Sequence, residues 1–478
     1  MSLNSYTDFV QRVRRHRPSE LLPALSLTAI QFYDQELWMA DRVRLPWALA
    51  AAAKASIVYG NEYRKSGVSE RDVAEICSLH SSLDTPLGRK TGDLSESVAA
   101  FLVRLSHEQF IYQQSEFEEI SRLGVLFDNL DEIATEVLTV DLIEGLLGCS
   151  IRDFVGAGFV IATGAKVSEG FFDPEWPQLW DGADSVNAQF PMSLVRQVFH
   201  EHFLSSFQDV RETAEQFRQL DELLHHHEFN PLVSRPFVTL PDGRHVAPQV
   251  HFAFQRLSTS ALYFVGMEKL HESQRKAFTR DVGVVFQDYV GRQLRLIPGA
   301  SVVPEIIYDN DQRSVDWFVL FDDLVILVEA KSTRLTHLAR IGSERLQEDF
   351  ERCIGKAHRQ VTRTHDLLTK GHQSFSAIPT DRPRIAIIAT LEPYWAANSS
   401  MLKELLPQPS IPTSVASIRA IEHLVGVVTS LGETKFLLDI VSDEDRRNWN
   451  LETALPKIDV PKNPILEEGW AKYPFGDE

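Results

Sequence analysis

The sequence is poor in cysteine, in long apolar runs and in positive charge. Its three cysteines lie far apart among 478 residues and form no Cys-x-x-Cys pair, which argues against a disulfide framework and a thiolate zinc site. No apolar run reaches the about 18 residues that a membrane-spanning helix requires, and the first residues have no apolar signal core. We therefore expect a cytoplasmic protein without a membrane partner.

Positive charge is scarce because 48 Lys and Arg residues stand against 67 Asp and Glu residues, for a formal net charge of −19. A nucleic acid partner requires a positive field, so the composition alone argues against one. The balance reverses locally, since residues 331–370 hold nine Lys and Arg but five Asp and Glu. Either a solvated helix face or a phosphate-binding face explains that reversal.

Changes in composition and in the spacing of apolar residues along the sequence predict a multidomain chain. Residues 1–228 have apolar side chains three and four positions apart, which predicts an all-α N-terminal half. A Pro-Asp-Gly turn between short apolar runs predicts a β-hairpin connector over residues 229–272. Helical and strand patterns alternate over residues 273–444, and the charged, proline-containing residues 445–478 are interpreted as a C-terminal tail that wraps a surface or is partly disordered.

The elements predicted within residues 273–444 begin with a helix and three strands. In order they are a helix (273–296), three strands (301–308, 313–321 and 324–331), a long helix (343–370) and two further strands (384–390 and 423–430).

The residues that carry chemistry lie at the end of an apolar strand. The run Leu-Val-Ile-Leu-Val at 324–328 is typical of a buried strand, and Glu329-Ala330-Lys331 follows it directly. Residues two apart in a strand share a face, so Glu329 and Lys331 point the same way. A turn at residues 321–323 folds the preceding strand back, which brings Asp316 close to Glu329.

These three side chains form a sufficient set for phosphodiester hydrolysis. Two neighbouring carboxylates repel each other, and burying either is costly unless it is paired or bound to a metal. Mg²⁺ prefers one or two carboxylates together with waters and phosphate oxygens. A lysine beside them can orient the attacking water or stabilise the pentavalent phosphate.

An acidic-x-Lys triplet alone has little specificity, since about three are expected by chance in a chain of this length. The triplet at 433–435 is one such case, because it follows an apparent turn and no aspartate hairpin precedes it. The triplet at 329–331 differs in its context of a helix, three strands and a following basic helix. A surface ion pair at a strand end is the alternative, and it does not explain the convergence of three ionisable groups.

This order of elements and the residues Asp316, Glu329, Ala330 and Lys331 resemble the PD-(D/E)XK, or restriction-endonuclease-like, nuclease superfamily. The resemblance covers residues 273–440, about a third of the chain. It implies an α/β fold with a central mixed sheet flanked by helices. It also implies that Asp316 and Glu329 bind Mg²⁺, for which Mn²⁺ substitutes, that the Ala330 carbonyl is a further ligand and that Lys331 is the catalytic lysine.

Members of the superfamily often carry an acid on the first helix and a glutamine on the helix after the lysine strand. Gln287 occupies the first position and Asp288 follows it, about 100° further around the helix, which leaves open whether one or two metal ions bind. Gln360 matches the glutamine and would assist catalysis. Basic residues three and four positions apart on that helix would contact phosphates, with solubility as the alternative role: Lys356, Arg359 and Arg363.

The resemblance implies a Mg²⁺-dependent endonuclease whose partner is DNA, acting in defence against foreign DNA such as that of a phage, or in repair. Two alternatives stay open: a catalytically inactive nucleic-acid-binding or scaffold protein with a relic nuclease fold, and an RNA-directed nuclease. Residues 1–228 are expected to bind a protein partner, to sense a trigger or to form a homo-oligomer. Within them the adjacent His225, His226 and His227 do not share a helix face and are interpreted as a helix end rather than a metal site.

Overall fold

The computed structural model describes residues 5–64, 67–83, 94–127, 130–179, 183–219, 221–343 and 345–473. Within these ranges the N-terminal half is helical, and the C-terminal part contains a mixed sheet with flanking helices. This coarse architecture agrees with the sequence prediction.

The helices of the N-terminal half often begin after a serine whose hydroxyl accepts a hydrogen bond from the third residue of the helix. In chain order the elements are α1 (Tyr6–Val13), α2 (Pro18–Gln31), α3 (Gln35–Asp41), α4 (Pro46–Tyr59), α5 (Glu70–Ser81), α6 (Leu94–Gln109), α7 (Glu116–Leu126), α8 (Val140–Leu147), α9 (Ile151–Val167), α10 (Ala183–Gln189), α11 (Met192–Val198), β1 (Leu204–Ser205) and α12 (Phe207–Gln216).

The segment predicted as a β-hairpin connector holds a hairpin over only part of its length. Two short strands pair antiparallel on either side of the Pro-Asp-Gly turn, and two helices follow them. The first of these helices has a short continuous apolar run, Phe252 to Phe254, and a run of that length suits a strand as well as a helix. The elements are β2 (Phe237–Thr239), β3 (His245–Val246), α13 (His251–Gln255) and α14 (Thr259–Lys269).

The C-terminal part alternates strands and helices. A π-helical turn at Glu351–Gly355 joins α17 to α18. The elements are α15 (Glu272–Arg295), β4 (Ser301–Pro304), β5 (Ile307–Tyr308), β6 (Gln312–Arg313), β7 (Trp317–Leu320), β8 (Val325–Lys331), α16 (His337–Arg340), α17 (Leu346–Phe350), α18 (Lys356–Thr369), β9 (Arg384–Thr390), α19 (Ser400–Glu404), β10 (Thr413–Ser417), α20 (Ile418–Leu431), α21 (Lys435–Ser442), α22 (Leu451–Ala454) and α23 (Pro464–Ala471).

The central sheet has the strand order β10-β9-β8-β7-β4. Neighbours among β4, β7 and β8 are antiparallel, whereas β8, β9 and β10 are parallel. Strand β8 therefore lies in the middle, and its apolar residues Val325 to Val328 are buried, as a strand covered on both faces requires. Glu329 is still buried, and the strand becomes partly exposed at Ala330 and Lys331.

Helices α15 and α18 cover opposite faces of this sheet. The Trp317 indole N–H, on the residue opposite Val328, donates to the Gln287 carbonyl of α15 at 3.0 Å. Leu327 belongs instead to a buried cluster with Val361 of α18. Because side chains alternate along a strand, odd-numbered residues of β8 face α18 and even-numbered ones face α15.

A β-bulge interrupts the first hairpin of the sheet just before β7. The register pairs Pro304 with Trp317, whereas beyond the interruption the Ser314 N–H donates to the Ile306 carbonyl at 3.1 Å. Val315 is therefore an extra residue on its strand. Bulges redirect neighbouring side chains and are common beside functional sites.

The strand predicted at residues 423–430 is wrong, because these residues lie within α20. Ser417 caps this helix by accepting a hydrogen bond from the Ala420 N–H at 3.3 Å, and Gly432 ends it with a φ of 66°. An apolar run of this length suits a buried strand and a buried helix alike, so periodicity alone did not decide between them. The strand at this edge of the sheet is β10 instead.

The segment predicted as a tail is packed over residues 445–473. Helix α23 lies against α7, so closely that a Cβ atom at Gly469 would come within 2.5 Å of the Ser121 carbonyl oxygen. Ile465 and Leu466 are buried there. Residues 474–478 of the predicted tail lie outside the described residues.

One helical stretch among the described residues, Val140–Val167, is long and apolar enough to cross a membrane by length and composition alone. It has a mean hydropathy of 1.5, and 56% of its 18-residue window is buried inside the protein. A buried core helix passes the same test. The stretch comprises α8 and α9, which are separated where Gly148 takes a φ of 78° and Ser150 caps α9.

Candidate active site

The structure brings Asp316, Glu329 and Lys331 together at the carboxyl end of β8. The register of β7 and β8 pairs Trp317 with Val328, so the next residues, Asp316 and Glu329, lie opposite each other. The Asp316 Oδ2 accepts a hydrogen bond from the Ala330 N–H at 2.7 Å. The two carboxylates and the Lys331 side chain therefore share the sheet face that α18 covers.

Glu329 is the most deeply buried group of the site, with 1% of its surface exposed. Its Oε1 forms an ion pair with the Lys331 ammonium, and its Oε2 has no hydrogen-bond partner among the described residues. Burial, and then the neighbouring charge of Asp316, raise the pKa of Glu329 to about 8, although Lys331 opposes the shift. A buried carboxylate oxygen without a partner is costly and requires an explanation.

Asp316 is shifted in the same direction for the same main reason. Burial raises its pKa to about 6, and the hydrogen bond from Ala330 and the charge of Lys331 oppose the shift. Neither carboxylate is thus fully stabilised in its charged form by the protein alone. A cation between them would supply the missing stabilisation.

The donor set fits a hard divalent cation. The orphaned Oε2 of Glu329 and the carboxylate of Asp316 are oxygen ligands, which Mg²⁺ and Mn²⁺ prefer. No group of three or more His, Cys, Asp or Glu residues in the described part of the chain is arranged to hold a metal ion. The ion would therefore rely on few protein ligands and retain waters, which is the usual behaviour of Mg²⁺.

The cost of this arrangement is testable with Glu329→Gln in metal-free buffer. Because the pKa of Glu329 is raised in the folded protein, its contribution to stability is fully present at pH values below the ordinary glutamate pKa. This contribution is lost as the pH rises through the folded-state pKa of about 8, where the buried carboxyl group becomes charged. The variant is therefore expected to be more stable than the parent at pH 9, by on the order of 5 kcal/mol, and to lose this advantage toward pH 4.5. Denaturant unfolding at both pH values measures the difference, and equal stability at pH 9 would contradict it.

Gln360 hydrogen-bonds to the backbone beside the site rather than to its carboxylates. Its Nε2 donates to the Ser314 carbonyl at 2.8 Å, and Thr364, one turn further along α18, accepts from the Val315 N–H at 3.1 Å. These two side chains satisfy the backbone groups that the bulge removes from the strand ladder. Sequence reasoning missed Thr364, for which the only signal was its position four residues after Gln360.

The predicted basic residues are exposed on α18, one side of which borders a groove of about 340 Å³. Arg359 forms an ion pair with Glu351, and Arg363 donates to the Gln312 Oε1 at 3.2 Å. Lys356 is exposed at the first turn of the helix. Several polar residues line the groove: His358, Arg359, Thr362, Arg363, Lys370 and Gln408.

The predicted contribution of the first helix is not supported by this geometry. The face of α15 that packs on the sheet lies against Trp317, where Gln287 accepts a hydrogen bond through its backbone carbonyl. A Cβ atom at Gly291 would collide with the Trp317 ring at 2.2 Å, so contact on that side is close. Asp316 and Glu329 point to the opposite face, away from Gln287 and the adjoining Asp288.

The three adjacent histidines end a 3₁₀ helix at Glu222–His227, in agreement with the interpretation as a helix end. They adjoin a buried cluster in which the Glu108 Oε1 lies 3.7 Å from the His227 Nδ1 and 4.0 Å from the His80 Nε2. Burial raises the pKa of Glu108 to about 8 and lowers the pKa of His80 to about 4. Burial therefore favours the uncharged forms of Glu108, His80 and His227, as expected for groups in a protein core rather than for a metal site.

Comparisons with known proteins were made for the whole chain. No protein-family model matches it, and no curated protein sequence matches it. Among solved structures, one match is the small subunit of the heterodimeric restriction endonuclease R.BspD6I, at 15% sequence identity and a TM-score of 0.23. The match covers 41% of this chain and 91% of that subunit. A TM-score of that size is too low to assign a fold or a function.

Proposed function

We propose that residues 273–444 form a Mg²⁺-dependent nuclease domain of the restriction-endonuclease-like type, which hydrolyses phosphodiester bonds of DNA. The observation that carries the proposal is the convergence of Asp316, Glu329 and Lys331 at the ends of two buried strands, with one oxygen of Glu329 left without a partner. Such an arrangement is costly to the fold by itself, and a bound cation offsets that cost.

Each residue has a distinct role in this proposal. Asp316 and Glu329 would hold Mg²⁺, or Mn²⁺ in its place, with the Ala330 carbonyl as a further ligand. When bound, the ion neutralises charge at the phosphate and lowers the pKa of a coordinated water. Lys331 donates hydrogen bonds to the attacking water or to a phosphate oxygen, where negative charge develops. Gln360 holds the Ser314 carbonyl and thereby positions the strand that bears Asp316.

The DNA backbone would run along α18. Lys356, Arg359 and Arg363 are exposed and project from this helix, which also borders the site through Gln360. Phosphate contacts of this kind position a nucleic acid without reading its sequence. The locally positive segment thus offsets the acidic composition of the whole chain.

The remaining segments would serve the nuclease domain. Residues 1–228 would form an accessory domain that binds a protein partner or a second copy of the chain. Residues 229–272 would connect the two, and residues 445–478 would pack along the surface. Defence against foreign DNA and DNA repair are the roles that such an assembly suits, by analogy with the fold alone.

The test is incubation of the purified protein with plasmid, linear and single-stranded DNA, and with RNA, in Mg²⁺ or Mn²⁺. We expect DNA cleavage that EDTA abolishes and that added Mg²⁺ restores, because the two carboxylates require a cation. Cleavage of RNA alone would assign the protein to the RNA-directed alternative. Absence of cleavage together with an unchanged melting temperature in Mn²⁺ would contradict the proposal and favour the relic scaffold.

A further inference from the structure

Glu305 lies directly beyond strand β4, which ends at Pro304. Because Pro304 pairs with Trp317, the next residues along these antiparallel strands, Glu305 and Asp316, lie opposite each other. Asp316 lies in turn opposite Glu329 by the register of β7 and β8. Three acidic residues therefore occupy one row across three adjacent strands, and opposite residues of antiparallel strands share a face.

The electrostatics of the site agree with this placement. Burial is the main cause that raises the pKa of Asp316 and of Glu329, and the charge of Glu305 adds to the rise at both. Its side chain is 16% exposed and forms an ion pair with Arg313 at 2.9 Å, whose side chain is 66% exposed. Glu305 is thus more exposed than Asp316 and Glu329, which are 8% and 1% exposed.

The bulge at Val315 lies directly beside the position of Glu305. Up to Pro304 the strands pair in one register, and from Ile307 onward the pairing is shifted by one residue. The regular ladder of hydrogen bonds between β4 and β7 therefore ends next to Glu305 and Asp316. The Glu329 Oε2, which is buried and has no partner in the described structure, lies in the same row. That atom is independent evidence that a charged or polar ligand belongs there.

We propose that Glu305 is the third acid of the site, and that it acts on the cation through a bound water rather than as a direct ligand. This inference rests on the proposed function. The role is assigned to a water-mediated contact for two reasons. No group of three His, Cys, Asp or Glu residues among the described residues is arranged to hold one ion directly, and Mg²⁺ retains several of its waters. Glu305, the residue after β4, would supply the acidic group that α15 does not bring to this sheet face.

The test compares Mn²⁺ binding by the parent, Glu305→Gln and Arg313→Gln in the full chain, by calorimetry and by the Mn²⁺-induced shift in melting temperature. We expect Glu305→Gln to weaken binding about tenfold, as the loss of an outer-shell partner of a metal does. Arg313→Gln breaks the same ion pair but keeps the carboxylate, and is expected to bind Mn²⁺ at least as tightly as the parent. Asp322→Asn, at the far turn of the hairpin, controls for a general loss of negative charge.

The outcomes separate the two proposals. Tight binding by the parent with equal affinity in Glu305→Gln would overturn the role of Glu305 and leave the proposed function standing. Equal losses in Glu305→Gln and Arg313→Gln would show that the ion pair acts only structurally. No Mn²⁺ binding by the parent would overturn both proposals. If Glu305→Gln failed to fold, Glu305→Asp would take its place, with a smaller loss expected because it keeps the charge.

Discussion

Lys331→Ala is expected to reduce Mg²⁺-dependent DNA cleavage by at least about 100-fold, the usual effect of removing one donor from a group that stabilises developing charge. The ammonium lies on the face that holds both carboxylates and contacts only Glu329 among the described residues of the site. The side chain is 19% exposed, and its removal leaves the buried Glu329 without a cationic partner, so the variant is also expected to lose stability. The melting temperature is therefore measured beside the cleavage rate, and the rates are compared at a temperature where both proteins are folded. Cleavage rates on plasmid DNA at saturating Mg²⁺ measure the effect.

A matched control is available within the same chain. Lys435 belongs to the other acidic-x-Lys triplet, but it is exposed at the start of α21. The preceding Thr434 donates to Asp323 at 3.2 Å, in the turn at the opposite end of the β7–β8 hairpin from the acids. Lys435→Ala is therefore expected to cleave at the parent rate. Equal rates in the parent and Lys331→Ala would remove the lysine from the proposed mechanism, and equal losses in both variants would indicate a general effect of lost positive charge on DNA binding.

Arg122→Ala is expected to cost about 3–5 kcal/mol of stability, the effect of breaking a buried ion pair by removing one partner. Arg122 is 1% exposed and donates from Nε and Nη2 to Glu422 of α20 at 2.9 and 2.6 Å. Tyr289 also donates to Glu422, at 2.7 Å. Without the guanidinium, the buried carboxylate of Glu422 would keep only the hydrogen bond from the Tyr289 hydroxyl, and the loss of its ion-pair partner is costly. Denaturant unfolding followed by tryptophan fluorescence measures the loss.

The control for this prediction is an ion pair of the same type at the surface. Arg71 pairs with Glu75 at 2.9 Å, but its side chain is 88% exposed, so solvent screens the pair. Arg71→Ala is expected to change the stability by less than about 1 kcal/mol. Partial recovery in the double variant Arg122→Ala with Glu422→Gln would support the explanation by an unpaired buried charge. A loss in Arg122→Ala no larger than that in Arg71→Ala would contradict it.

The core of the candidate site could be predicted because local rules determine it. Side chains alternate along a strand, so Glu329 and Lys331 share a face wherever that strand lies. The short turn after Phe321 limits the register of the hairpin, which places Asp316 near Glu329. The ambiguous run at residues 423–430 shows the limit of such rules, because an apolar segment that is buried on most sides has no period that distinguishes a strand from a helix.

The sequence by itself determined the helical half, the central hairpin and the convergence of Asp316, Glu329 and Lys331, since these follow from periodicity and turn length within a few residues. The tertiary structure decided which helix covers each sheet face, and therefore that Gln360, and not Gln287, adjoins the site. It also decided the bulge that leaves Glu305 beside the acids, and the pairing of Arg122 with Glu422 across 300 positions of the chain. Such contacts depend on how distant elements pack, and local periodicity contains no information about them.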